Sequence, residues 1–194
     1  EVSLDGWRRL AGLAAQRARA MKARRVVVAP FDGSVADFDA ATLARCWVEG
    51  AELSGDDRED AAPSWRLIAA DAAEAAALRE GVRQGEAYAA GCRLARRLVN
   101  QPPNVLTPER LAREAQGVAR DAGCACTVMG PEELSRRRMG GILAVGQGSR
   151  HAPRLIVLEI DDRDGHVALP ADEAATAVDE TVNPDGAATP AVRI

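Results

Sequence analysis

A chain of 194 residues, 47% of them hydrophobic, carries enough apolar material for a core in one domain or two small ones. Its formal charge of -4 argues against a general polyanion-binding role, so no nucleic-acid partner is expected. No apolar run approaches the roughly 18 uninterrupted residues of a membrane span, and Glu1-Val2-Ser3-Leu4-Asp5 lacks a basic stretch followed by an apolar one. The expectation is a cytoplasmic chain with no membrane partner.

Ser3 is placed to cap a helix whose apolar positions Leu4, Trp7, Leu10, Ala11, Ala14, Ala18 and Met21 recur at helical spacing. The basic residues near its end (Arg17, Arg19, Lys22, Arg24, Arg25) complement the helix dipole and are read as solvated. Arg25 to Pro30 is a short β-branched run bounded by charge and proline, which predicts a buried strand. After a turn at Asp32-Gly33, Ser34 is expected to cap a second helix that offers Val35, Phe38, Leu43, Cys46 and Trp47 for burial and stops near Gly50. Residues 54–64 read as an acidic surface loop, and Trp65 to Ala70 as the next strand. This alternation predicts an α/β layer with parallel strand neighbours.

From Asp71 to Val99 the pattern is helical for close to thirty residues, roughly 40 Å at 1.5 Å per residue. Gly81, Gly85 and Gly91 weaken such a helix, so they are expected to permit close packing or mark bends, while Arg93, Arg96 and Arg97 read as a solvated face. Pro102-Pro103 then removes two backbone donors and pushes Gln101 and Pro102 toward extended geometry, so the helix must end near Asn100 and a rigid extended elbow is expected to follow. Thr107 follows as an N-cap, with Pro108 at the first helical position and Glu109 in the first turn. The next helix should run to Ala122, with Leu111, Ala115 and Val118 inward and Gly123 as its stop. A strand from Cys124 to Met129, a short helix opened by Pro131-Glu132-Glu133-Leu134, a release at Gly140-Gly141 and a strongly apolar, central strand from Pro153 to Ile160 complete the ordered part. Gly146-Gln147-Gly148-Ser149 lacks the lysine and spacing of a phosphate-binding loop and reads as a structural turn.

Ala95 to Asn100 followed by Pro102 to Pro108 resembles the entry to the catalytic domain in the cytosol (leucyl) aminopeptidase family of two-metal peptidases. The resemblance continues through Met139 to Ser149 and Pro153 to Glu159, and more weakly back to about Gly6. It implies the α/β fold class, and the chain divides into four parts. Residues 1–71 would be an incomplete macro-like N-terminal domain whose sheet has only two recognisable strands. Residues 72–100 would be a connecting helix and 101–160 the first βα elements of the catalytic domain, while the composition of 161–194, rich in Asp, Glu, Ala, Thr and Pro with little periodicity, reads by itself as an atypical, disordered tail.

Function follows from the same resemblance. Family members release N-terminal residues from peptides with two divalent cations (manganese, zinc or magnesium) and assemble as hexamers, so peptides and a homo-oligomer are the implied partners. Two cations can hold a substrate amine and carbonyl while generating hydroxide, and they need several converging carboxylates. The family supplies these from a Gly-Lys-Gly...Phe-Asp-x-Gly-Gly segment and an Asn-Thr-Asp-Ala-Glu-Gly-Arg segment, and neither occurs here. Gly165 to Glu173 stands where the first is expected, Lys22 is the lone lysine, and 24 of the 25 basic residues are Arg. Asp172, Glu173, Asp179 and Glu180 have no core to fix them, Cys124 and Cys126 have no second pair nearby, and His151 and His166 read as solvent-exposed. The four cysteines read as reduced, buried thiols. No catalytic, cofactor-binding or metal residue is therefore assigned, no metal is expected on this chain, and it is expected to be inactive by itself, as a frame change after Glu159 would explain. The alternative is a noncatalytic interaction module that associates with intact aminopeptidase subunits; a macro-like ligand or nucleic-acid binder is poorly supported by the acidic balance.

Overall fold

The structure, a computed structural model, describes residues 3–29, 38–55, 63–160, 178–182 and 188–193. Its elements run α1 (Leu4–Ala20), β1 (Arg25–Val28), α2 (Ala40–Leu53), β2 (Ser64–Ile68), α3 (Ala72–Val99), α4 (Pro108–Ala122), β3 (Ala125–Met129), α5 (Pro131–Arg136), α6 (Gly140–Gly146), β4 (Leu155–Glu159), β5 (Val178–Val182) and β6 (Ala188–Arg193). They form two compact units, one of Glu1–Ala95 with Ala171–Ile194 and one of Arg96–Pro170. The division falls inside α3, whose last turn belongs to the second unit.

In the first unit, β1 and β2 pair in parallel from Arg25↔Ser64 to Val28↔Leu67, as the helix–strand alternation predicts. Ser3 accepts from the Gly6 backbone N–H at 3.1 Å and caps α1, so that local signal was sufficient. The buried face of α1 is Trp7, Ala11, Ala15 and Ala18, whereas Leu10 and Met21 are exposed. The second helix begins later than expected. Its cap is Asp39, which accepts from Thr42 N–H at 2.8 Å; that bond holds the Asp39 carboxyl below the usual carboxylate range. Ser34 and Val35 lie outside the described residues. Helix α2 also runs past Gly50 to Leu53, because Gly50 is a contact residue and not a stop: a Cβ there would meet the Arg8 carbonyl oxygen of α1.

Three tryptophans form the centre of this core. Trp47 stands between Trp7, at a ring separation of 5.3 Å, and Trp65, at 5.8 Å in an edge-on arrangement. Trp7 Nε1 donates to the Leu43 carbonyl at 3.0 Å, so the one polar edge that α1 brings into the core is paired with α2. Ala44, Cys46, Val48, Leu67, Leu78 and Val82 close around them. Burial pushes the Cys46 thiol up, which suits an inert core cysteine. Cys92, by contrast, is exposed on α3, and Cys124 and Cys126 are half-buried, so of the four expected buried thiols only Cys46 is fully covered.

Two basic residues expected to be solvated are tied down. Arg19 donates to the Ser54 hydroxyl at 3.1 Å, and Arg93 pairs with Glu52; both join their helices to α2. The sheet is also larger than two strands. Residues 161–194 read as a disordered tail, but β6 lies antiparallel on β2 and β5 antiparallel on β6, giving the order β1-β2-β6-β5. Main-chain pairing needs no side-chain periodicity, and Val192, fully buried, is the residue by which β6 enters the core. The rest of the tail, with His166, Asp172 and Glu173, lies outside the described residues.

The second unit is an αβααβ arrangement in which β3 pairs antiparallel with β4 from Ala125↔Glu159 to Met129↔Leu155. Strand β4 is expected to be central; among the described residues it belongs to a two-stranded sheet, and Leu158 is exposed. Helix α4 buries Ala112 and Ala119 and leaves Leu111 exposed, a face rotated from the expected one. The apolar run Ile142 to Val145 is helical, in α6.

Candidate functional site

The stretch that links α3 to α4 is the best-built feature of the second unit. Helix α3 ends with Asn100 N–H donating to Arg96 O at 2.9 Å and Gln101 N–H to Leu98 O at 3.2 Å. The prolines interrupt any continuation. Pro102 O then accepts from both Val105 N–H (2.9 Å) and Leu106 N–H (3.0 Å), which folds the elbow into a tight turn. Thr107 Oγ1 accepts from Arg110 N–H at 3.3 Å, Pro108 occupies the start of α4, and Gly123 ends it at φ 67°, the left-handed conformation that glycine takes without strain. The helix end near Asn100, the Thr107 cap, Pro108 and the Gly123 stop were legible in the sequence; the elbow itself is a turn closed on Pro102 O where an extended segment was expected.

What the sequence reading missed is the clamp that spans the elbow. Glu114 on α4 accepts from Arg110 Nε at 2.9 Å and pairs with Arg97, at the end of α3, at 3.4 Å. The Arg110/Glu114 spacing of four on a helix was the available signal; Arg97 was read as solvated. Replacing Thr107 by Ala is expected to lower stability by about 1 kcal/mol through loss of the cap, seen as an earlier urea midpoint, whereas Thr107→Asn should leave the midpoint nearly unchanged.

Beside the elbow, Pro108, Ile142, Val145, Ser149, His151 and Pro153 line an apolar recess of about 590 Å³. His151 is half-buried here, not exposed as expected, and its backbone N–H donates to Ser149 Oγ at 3.1 Å. Gly146 is required by the approach of Pro153: a Cβ on it would lie 2.7 Å from the proline Cγ. That contact agrees with reading Gly146 to Ser149 as a structural turn. Glu133 on α5 is held below the usual carboxylate range by its hydrogen bond from Arg137, with Arg136 adding to it, an exposed surface pairing with no convergent partner for chemistry.

Comparison with known proteins fits this architecture. Residues 93–169 match the model of the cytosol aminopeptidase family, catalytic domain. Over 169 residues, 80% of this chain, the sequence is 38% identical to a protein of Roseiflexus castenholzii named "Probable cytosol aminopeptidase", of which it covers 34%. The bottromycin maturation enzyme BotP in complex with Mn superposes with a TM-score of 0.62 at 31% identity, covering 82% of this chain and 34% of that one. A mutant of tomato leucine aminopeptidase superposes with a TM-score of 0.65 at 24% identity, covering 78% and 32%, which shows the shared fold. The class is thus the α/β fold of the aminopeptidase structures. The chain belongs to the cytosol aminopeptidase family, and it spans about a third of the length of the Roseiflexus relative.

Family peptidases depend on metal, as the Mn complex of BotP illustrates, and a metal site requires converging donors. Among the described residues, no three His, Cys, Asp or Glu side chains are grouped so that they could hold an ion. Cys126 sits in β3 opposite Leu158, and His151 faces an apolar recess. The described residues therefore do not fit a two-cation site.

Proposed function

We propose that this chain is a part of a metal-dependent aminopeptidase that releases N-terminal residues from peptides in the cytoplasm. It contributes the end of an N-terminal α/β domain, the connecting helix α3 and the first elements of the catalytic domain. By itself it does not hydrolyse peptides. The observation that carries this reading is the match of residues 93–169 to the catalytic-domain model in a sequence that contains neither family ligand motif and whose one lysine, Lys22, follows α1. Water is activated only where ligands are held in a preorganised set around the cations. The full assembly would take manganese or zinc, a homo-oligomer and peptide substrates.

The test is hydrolysis of leucine p-nitroanilide by the purified chain with added Mn²⁺. No release above buffer is expected; turnover that a chelator abolishes would refute the inactivity. A second reading, a noncatalytic module that associates with intact aminopeptidase subunits, is favoured by the exposure of Val145 (86%), Ile160 (60%) and Leu158 (46%) on the second unit. Co-purification with a full-length family enzyme would support it, and a chain that elutes alone from the mixture would count against it.

A further inference from the structure

Strand β6 is held in the first unit by a small set of contacts. Three register pairs join it to β2: Arg66↔Arg193, Leu67↔Val192 and Ile68↔Ala191. Val192 is the one member of the core cluster that lies C-terminal to Val82 among the described residues. Pro190 has no N–H to donate, so β6 cannot lengthen its pairing by a donor there. Its remaining edge is covered by β5. A strand joined to the rest of its sheet by three register pairs opens at far lower cost than the tryptophan core behind it.

What β6 leaves behind is an edge. Without it, β2 presents a row of unpaired backbone donors and acceptors beside the hydrophobic slot that Val192 fills, a template for another extended segment. The segment of matching shape that is present at every protein concentration is β6 of another copy. Eighteen residues, 160–177, connect β4 to β5, a length that reaches about 60 Å when extended. We propose that the β5–β6 hairpin is an exchangeable element that pairs with β2 of a second copy of this chain, so that two chains are joined by reciprocal strand exchange. Each exchanged strand remakes the contacts it had at home, so the balance is set by protein concentration against the effective concentration of the tethered hairpin. This inference stands apart from the aminopeptidase reading, since it requires no chemistry at the second unit.

The test uses two variants of this chain, Arg66→Cys and Arg193→Cys, at positions that face each other in the β2–β6 register. Each is purified reduced, and the two are mixed at rising concentration, oxidised and mapped by mass spectrometry. Neither variant can join positions 66 and 193 within one chain, so that bond reports exchange. The expected result is a linked heterodimer that increases with concentration and is lost when the second variant also carries Val192→Asp. Absence of the 66–193 bond at every concentration, while a chain bearing both substitutions closes on itself, would overturn exchange. Failure of that doubly substituted chain to close would overturn it equally, by removing the β2–β6 pairing. A dimer linked only through the exposed native Cys92 would also count against it.

Discussion

Replacing Trp47 by Ala is expected to lower the stability of the first unit by about 3–5 kcal/mol, the usual range for deleting a buried indole. Trp47 is 5% exposed, lies at the junction of α1, α2 and β2, and touches the rings of both Trp7 and Trp65. Its removal would therefore cancel two aromatic contacts as well as leave a cavity, and the surrounding residues (Ala44, Val48, Leu67) are too small or too constrained by helix packing to collapse into it. Domains of this size have about 5–15 kcal/mol in total, so much of the folded population would be lost. Urea unfolding followed by far-UV circular dichroism reads the change without depending on tryptophan emission. Trp47→Phe keeps a ring in the slot and should restore most of the midpoint. Equal midpoints for Trp47→Ala and the parent chain would show that the tryptophan cluster does not organise this unit.

That core was only partly legible in the sequence, and the reasons differ from element to element. Caps and stops are local. Ser3, Thr107 and Gly123 hydrogen-bond or twist within a few residues of themselves, and each stands where the spacing put it. Asp39 was passed over because Ser34, five residues earlier, offers the same capping chemistry to a reading of the sequence. The ion pairs were unreadable for a related reason. Arg93 and Glu52 are 41 positions apart, and no sequence spacing relates two helices that meet only through tertiary packing. Strand β6 was missed because it is recruited by the open edge of β2, while its own composition has nothing that marks a strand. The stop near Asn100 and the restart at Thr107-Pro108 were read correctly because proline acts through covalent geometry, whereas the turn between them, closed on Pro102 O where an extended elbow was expected, depends on hydrogen bonds that the prolines alone do not specify. The absence of an assigned catalytic or metal residue rests on which motifs the sequence contains, a matter that packing does not alter.

Gly81→Ala and Gly91→Ala should change stability in opposite directions, although both place the same methyl group on the same helix. On an exposed helix surface the substitution is favourable by about 0.5–1 kcal/mol, because alanine loses less backbone freedom than glycine. Gly91 has nothing within 4 Å of where its Cβ would stand, so it should show that gain. At Gly81 the added Cβ would fall on the carbonyl oxygen of Ala41 in α2 and within 2.8 Å of its carbonyl carbon, and backbone atoms inside a helix cannot rotate away as a side chain can. One turn on, a Cβ at Gly85 would lie 2.7 Å from Val48 Cβ and 2.8 Å from Arg45 O, so the helices cannot pivot about one contact to relieve the other. Separating α3 from α2 would thin the packing around Leu78, Val82 and Val48, at a cost of about 1–3 kcal/mol typical of an overfilled core. For a chain of this length each kcal/mol moves the melting temperature by about 2–4 °C. Thermal unfolding of the two variants beside the parent should therefore place Gly91→Ala above it and Gly81→Ala several degrees below. A Gly81→Ala protein that melts with or above the parent would mean that α2 and α3 are not in backbone contact at this crossing.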